Sequence, residues 1–214
     1  MKSKKELNLN DLRKLKKQIP ISISFAKKLL EKYEGNIELV IQNFKENQIE
    51  ILTKNLNIES TIAEKYLNEN NFEINKAIKN YEKEHFTKTE LILRRKISNS
   101  DKVSLICSVV EIKYDLKRDY WLKKEKIEKL DLKIQNILSV NEAIEYEEWE
   151  TFSSALYLLK QQIERIRNIF HCEELANFLE NAKESTDDNF FQNEKEKLYE
   201  NMLNYVSKNK EDFP

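Results

Sequence analysis

Apolar residues recur every three or four positions over much of this chain, which is the spacing of one face of an α-helix. The most regular stripe predicts one long helix and consists of Trp149, Phe152, Leu156, Leu159, Ile163, Ile166 and Phe170. A preceding stripe with the same spacing consists of Ile127, Leu130, Ile134 and Ile137. Together they predict an antiparallel hairpin that turns between residues 139 and 141. Such a stripe packs inside its own chain or forms the seam of a homodimer, and the pattern leaves both open.

The segment from Lys102 to Ile112 reads KVSLICSVVEI and alternates well enough for a strand. No other segment offers a convincing partner strand, so we predict a helix capped by Asp101. Further helices are expected around Leu175 and between Phe190 and Val206.

An internal repeat occupies the first part of the chain. Residues 21–46 align with residues 58–83 at an offset of 37 positions, and most apolar positions coincide. Seven positions are identical, namely Ile21/Ile58, Ala26/Ala63, Lys28/Lys65, Leu30/Leu67, Ile37/Ile74, Ile41/Ile78 and Asn43/Asn80. Coincident apolar positions indicate a structural cause, so we predict two copies of one helical unit.

The only glycine, Gly35, separates two predicted helices of the first copy. A residue just past a helix C-terminus often needs a positive φ, which glycine adopts without steric penalty. Asn36 can then cap the following helix. Phe72 occupies the equivalent position in the second copy, so we expect Asn70 or Asn71 to supply the left-handed residue there.

A further short helix is predicted before each copy, from Leu7, Leu9, Leu12 and Leu15 and from Ile51, Leu52 and Leu56. Glycine and proline together number three, while 40% of residues are hydrophobic, which favours an all-helical fold with a sizeable core. The predicted fold is all-α. Two tandem three-helix units, 1–47 and 48–86, precede a bundle of longer helices, 87–214.

These units resemble the ubiquitin-associated (UBA-like) three-helix fold, and most closely the N-terminal domain of elongation factor Ts. The matching elements are the helix Leu12–Lys17, the loop Gln18–Ile21, the helix segment Ala26–Leu30, the turn Gly35–Asn36 and the segment Ile37–Ile41. The resemblance covers residues 8–46 and, through the repeat, residues 48–83. It implies a protein-binding scaffold.

The loops differ from those of both families. Elongation factor Ts has a Thr-Gly-Ala-Gly type loop where this chain has Gln18–Ile21. Ubiquitin-binding members of the UBA-like fold have a Met-Gly-Phe-like loop, and neither copy contains one. We therefore predict a non-enzymatic protein or peptide binder rather than a nucleotide-exchange factor. The predicted contact residues are those of two apolar loops, Ile19, Pro20 and Ile21 and Leu56, Asn57 and Ile58. Whether these side chains are exposed stays open.

The net charge of -1 creates no overall attraction for nucleic acid or membranes. Two local basic segments offer a weaker nucleic-acid hypothesis, the N-terminus with Lys2, Lys4 and Lys5 and the run Arg94-Arg95-Lys96. No segment approaches membrane-spanning length, and the N-terminus lacks the apolar run of a signal peptide. The only cysteines, Cys107 and Cys172, make no disulfide framework, so we expect a cytoplasmic protein. The resemblance to bacterial elongation factor Ts implies a bacterial one.

Catalytic and metal chemistry is hard to find in this sequence. Glu82 and His85 have a di-iron ligand spacing, but the chain has one such motif where two are needed, so we expect no cofactor. The alternative function rests on Arg165 and His171, whose spacing loosely resembles that of HEPN ribonucleases. That resemblance implies metal-independent cleavage of RNA, with proton transfer by the imidazole and phosphate stabilisation by the guanidinium.

Overall fold

The computed structural model describes residues 9–214, and every regular element in that range is helical, without strands. The predicted all-α class is thus confirmed. Contacts divide the chain into two compact units, Met1–His85 and Phe86–Pro214, called here the repeat unit and the C-terminal unit. The expectations for Lys2, Lys4, Lys5 and Leu7 fall outside the described residues.

The repeat unit contains five helices: α1 (Leu9–Gln18), α2 (Ile23–Lys32), α3 (Ile37–Leu56), α4 (Ser60–Glu69) and α5 (Ile74–His85). Helix α4 begins and ends 37 positions after α2, and α5 begins 37 positions after α3. The secondary structure therefore repeats at the offset found in the sequence. Buried pairs repeat as well, namely Ala26/Ala63, Leu30/Leu67, Val40/Ala77 and Phe44/Tyr81.

Both copies turn through two residues with positive φ. In the first copy these are Glu34 and Gly35, with φ of 52° and 82°. In the second copy Asn71 has the expected left-handed backbone, and Phe72 is left-handed too, with a φ of 58°. The Phe72 N–H donates to the Leu67 carbonyl at 2.7 Å, which closes the turn as a buried helix end requires. The ring of Phe72 is buried, and this compensates for an unfavourable backbone.

Helix α3 belongs to both copies. It runs without a break from Ile37 to Leu56, so the predicted boundary between residues 47 and 48 lies inside one helix. Its first half follows the turn at Gly35 and completes the first copy. Its second half directly precedes α4, just as α1 directly precedes α2. The two three-helix sets therefore share this element and are joined rigidly.

The C-terminal unit contains seven α-helices: α6 (Lys88–Leu93), α7 (Asn99–Lys113), α8 (Lys124–Ile127), α9 (Leu132–Trp149), α10 (Phe152–Lys160), α11 (Glu173–Asn181) and α12 (Asn189–Lys208). A π-helical turn, Arg165–Ile169, follows α10, and a 3-10 turn, Lys210–Asp212, follows α12. The segment KVSLICSVVEI is helical, as predicted. Its N-cap is Ser98, however, and the predicted cap Asp101 instead accepts a hydrogen bond from the Ser98 hydroxyl at 2.6 Å.

The predicted hairpin exists, but its turn lies ten residues later than expected. Helix α9 continues through residues 139–141, where Asn141 is satisfied by donating to Glu145 at 2.9 Å. The chain reverses at Glu150 and Thr151, and Thr151 caps α10 by accepting from the Ser154 N–H at 3.2 Å. A capping hydroxyl at that position starts a new helix and ends the long one.

Six of the seven stripe residues, from Phe152 to Phe170, lie in the core of the C-terminal unit. Trp149 is the exception, since its side chain is 80% exposed at the end of α9. Helix α10 ends at Lys160, before Ile163 and the π-helical turn, so the stripe does not lie on one continuous helix.

Candidate functional site

The structure buries three of the six predicted contact residues inside the repeat unit. Ile19, Ile21 and Leu56 are 2%, 4% and 8% exposed. Ile58 is half-buried, and only Pro20 and Asn57 are exposed. The exposure that the sequence left open is thus known for all six residues, and contact with a partner through these loops stays a prediction.

The cause of this burial lies in the loop backbone. The Ile19 N–H donates to the Leu15 carbonyl and the Ile21 N–H to the Ile19 carbonyl, both at 2.9 Å. These bonds curl the chain tightly after α1 and turn both isoleucines towards the core. In the other loop Asn57 caps α3 with a left-handed backbone, its φ being 53°.

An accessible apolar surface lies instead along helix α3, in what we call the α3 groove. It has a volume of about 420 Å³ and is lined by Gln18, Glu38, Ile41, Gln42, Lys45, Glu46, Ile49 and Glu64. Ile41, Lys45 and Ile49 are four residues apart and half-buried, so they form the floor on one helical face. At 1.5 Å per residue the wall from Glu38 to Ile49 is roughly 16 Å long, which matches about three turns of a partner helix.

The rim of the α3 groove is acidic. Glu38, Glu46 and Glu64 line it, and Lys45 is the one cation among its lining residues. The Lys45 ammonium lies 4.8 Å from the centroid of the Phe72 ring, where the ring face attracts it. Gln42 donates to Glu46 at 2.9 Å, which holds that carboxylate on the groove side of α3.

A second groove of about 330 Å³ lies on the neighbouring face of α3, with Phe44 and Phe72 among its lining residues. Pro20 lines it, so this predicted contact residue does border a groove. Lys45 separates the two grooves, because it lines the first and covers the Phe72 ring of the second.

Two of the three rim carboxylates, Glu38 and Glu46, come from the first copy, and the third, Glu64, comes from helix α4 of the second copy. The positions equivalent to Glu38, Gln42, Lys45 and Glu46 in the second copy carry Asn75, Lys79, Glu82 and Lys83. Ile78 is equivalent to Ile41 and is likewise half-buried. The two copies thus share an apolar position while their surrounding charges differ. The sequence alignment paired Ile41 with Ile78, but it could not show that both side chains are partly accessible.

Arg165 and His171, the residues of the ribonuclease hypothesis, have separate surroundings. The Arg165 guanidinium donates to Asn136 at 3.1 Å and to Gln162 at 3.0 Å. His171 is exposed beyond the π-helical turn, with a φ of 54°. Among the described residues no hydrogen bond joins the two, and the ribonuclease hypothesis stays a prediction.

His85 and Glu82, which have the spacing of metal ligands, lie near the end of α5. The His85 ring stacks on Tyr81 with centroids 4.1 Å apart, and its Nδ1 lies 2.9 Å from the Tyr81 carbonyl oxygen. In the described part of the chain, no three His, Cys, Asp or Glu side chains are grouped as a potential metal site.

Arg118 anchors the loop after α7 by its contacts with three glutamates, a cluster that the sequence did not reveal. It donates to Glu111 at 2.6 and 2.9 Å and forms ion pairs with Glu142 and Glu145, both at 3.1 Å. Glu142 also accepts from the Leu122 N–H at 2.7 Å. Burial raises the pKa of the Glu142 carboxyl, although the Leu122 N–H and Arg118 oppose the shift.

The structure thus defines an all-helical protein with a duplicated unit and a separate helical bundle. Residues 87–212, more than half of the chain, match the YfbN C-terminal domain family. Over 197 residues the chain is 31% identical to "Uncharacterized protein YfbN" of Escherichia coli (strain K12), covering 86% of this chain and 83% of that protein. The chain belongs to the YfbN family.

The match to the Escherichia coli relative includes part of the repeat unit, because it covers more of the chain than the C-terminal unit alone. No solved structure matches this chain. Among the described helices, none combines the length and the apolar character needed to cross a bilayer.

Proposed function

We propose that this protein is a non-enzymatic interaction protein whose repeat unit binds a basic amphipathic helix of a protein partner in the α3 groove. The observation that carries the proposal is the position of Ile41 and Ile49, which are half-buried between three acidic side chains. Grooves that take an amphipathic helix present an apolar floor to its apolar face. An acidic rim then selects partners with lysine or arginine beside that face.

The resemblance to UBA-like domains supports protein binding as the general role of the repeat unit. It does not supply the contact residues, because the loops that would correspond are largely buried here. The α3 groove takes their place in the proposal. Recognition therefore depends on the shared helix rather than on the loops between helices.

A reducing cytoplasm is the compartment we propose. Cys107 and Cys172 are both free and buried, and neither forms a disulfide. Helical interaction proteins of this size depend on their apolar core rather than on cross-links, which suits such a compartment.

The proposal is tested with a synthetic peptide of about 14 residues that carries leucines and lysines on opposite faces of a helix. Fluorescence anisotropy measures its binding to the full-length protein, and a peptide with glutamates in place of the lysines serves as the charge control. We expect saturable binding of the basic peptide only. Binding should weaken as ionic strength rises, because exposed charges are screened.

The variant Ile41→Ser locates the site, and Ile78→Ser is its matched control in the second copy. We expect Ile41→Ser to weaken binding about tenfold, the equivalent of roughly 1.4 kcal/mol. Ile78→Ser should leave it unchanged. Equal loss in both variants, or equal binding of the acidic peptide, would overturn the proposal.

A further inference from the structure

The C-terminal unit contains a groove that the proposed function does not use. It has a volume of about 330 Å³ and is lined by Asn168, Ile169, Phe170 and His171 after the π-helical turn and by Asn201, Asn204, Tyr205 and Lys208 of α12. We call it the α12 groove. Its volume is at the lower end of the range for small-molecule sites.

The backbone around His171 gives the groove its shape. The Phe170 N–H donates to the Arg165 carbonyl at 3.0 Å, and the Cys172 N–H donates to the Ile166 carbonyl at 2.9 Å. Between these two bonds His171 has a left-handed φ of 54°, which is uncommon for a residue with a Cβ. Such backbone conformations are retained where the surrounding bonds enforce them, and they often accompany binding sites.

The charges in the α12 groove favour an anionic ligand. None of the eight lining residues is acidic, whereas Lys208 and His171 supply an ammonium and an imidazole. In the described residues neither side chain forms an ion pair or a hydrogen bond. Outside the lining, Glu164 accepts a hydrogen bond from the Asn168 amide at 2.7 Å. A phosphate would therefore meet two free donors, and no acidic residue lines the groove itself.

The floor of the α12 groove is aromatic. The rings of Phe170 and Tyr205 meet edge to face with centroids 5.6 Å apart, and the Tyr205 hydroxyl accepts from Asn136 at 3.2 Å. Amides stand beside this floor. Asn201 donates to the Cys172 sulfur at 3.3 Å and keeps its carbonyl oxygen available, while Asn204 is exposed. Amides beside an aromatic surface suit the hydrogen-bonding edge and the face of a nucleobase.

We infer that the α12 groove binds a nucleoside monophosphate, either free or at the 5′ end of a single strand of RNA. The phosphate contacts Lys208 and His171, and the base lies over the apolar floor with its edge towards the asparagines. Inorganic phosphate would contact only the ammonium and the imidazole, and a nucleoside only the floor and the amides. The combination of both surfaces in one groove points to a ligand that carries both groups.

Isothermal titration calorimetry on the full-length protein tests this inference with four probes: AMP, adenosine, inorganic phosphate and a 5′-phosphorylated oligoadenylate. We expect AMP, the oligonucleotide or both to bind at least about tenfold more tightly than adenosine or phosphate. Binding of AMP would identify a free nucleotide as ligand, and binding of the oligonucleotide alone would identify an RNA end. Equal binding of phosphate and AMP, or no binding of either nucleotide probe at millimolar concentration, would overturn the inference.

Two variants assign the binding to the α12 groove. Lys208→Gln removes the ammonium from the end of α12, and the matched control Lys183→Gln removes an exposed lysine outside the groove. His171→Asn removes the imidazole while keeping a residue type that tolerates the left-handed backbone. We expect each groove variant to weaken nucleotide binding about tenfold and the control to leave it unchanged. A thermal unfolding midpoint like that of the unmodified protein shows that a variant is folded, and unchanged affinity in both groove variants would place the nucleotide elsewhere.

Discussion

Lys45 places its ammonium 4.8 Å from the centroid of the Phe72 ring, and this contact joins the shared helix α3 to the turn of the second copy. Phe72 lies at the position where the first copy has Gly35, and it has a left-handed backbone despite its side chain. The aromatic ring thus packs beside α3 where the first copy has no side chain at all. The two copies therefore present different side chains to α3. Lys45, which contacts the Phe72 ring, is the one lysine that lines the α3 groove.

We expect Lys45→Gln to strengthen binding of the basic peptide. The variant removes the one positive charge that lines the α3 groove and leaves three glutamates in place. The apparent affinity should rise about threefold at low ionic strength, and the gain should fade as salt is added. Fluorescence anisotropy measures the effect, and Lys28→Gln, an exposed lysine that does not line the groove, is the control. A weaker affinity would mean that the peptide does not lie along the acidic rim.

Gly35→Ala should destabilise the repeat unit by about 1 kcal/mol or more. Gly35 has a φ of 82°, which an alanine adopts only with steric strain against its Cβ. Asn71→Gly is the informative comparison, because Asn71 has a φ of 52° and glycine reaches it freely. Urea unfolding should show a lower midpoint for Gly35→Ala and little change for Asn71→Gly. Equal stability of Gly35→Ala and the unmodified protein would contradict the role given to this turn.

Arg118→Met should destabilise the C-terminal unit by about 2–4 kcal/mol near neutral pH, since it leaves three glutamates without their cation. Burial already raises the pKa of Glu142, and the loss of Arg118 raises it further. The folded variant therefore binds more protons than the unfolded chain above the usual glutamate pKa of 4.5, so its stability falls as pH rises.

The measurement for Arg118→Met is urea unfolding at several pH values between about 5 and 8. The difference in unfolding free energy between the unmodified protein and the variant should grow with pH across that window. Lys117→Met is a suitable control, because Lys117 is exposed and its ion pair with Asp115 is long, at 4.0 Å. If the difference in unfolding free energy does not depend on pH, Arg118 stabilises the unit through packing rather than through its charge.

Both thiols should react slowly while the protein is folded. Burial raises the pKa of Cys107 and that of Cys172, so little reactive thiolate forms at neutral pH. An aromatic disulfide reagent should label them at the rate of unfolding and should label both at once in denaturant. Fast labelling of Cys172 in the native protein would mean that the segment after the π-helical turn opens, and Cys172→Ser would then remove the fast phase.

The sequence was sufficient to predict an all-helical chain from its apolar spacing and its few glycines and prolines, and the repeat at 37 positions from its self-alignment. The helical state of KVSLICSVVEI followed from the lack of a partner strand. Such patterns are reliable because each helix must bury one face, whatever it packs against. They could not locate the hairpin turn, since Asn141 suits either a turn or a helix. The contact of Asn141 with Glu145 resolves that choice within the folded chain.

The sequence by itself determined which residues share a helical face and that one unit occurs twice. Only the tertiary structure decided which apolar residues are accessible. Ile19 and Ile21 turn inwards because their loop closes on α1, whereas Ile41 and Ile49 stay half-buried because α3 is flanked but not covered. Periodicity records the orientation of side chains around their own helix axis, and exposure depends on which neighbours arrive from distant parts of the chain.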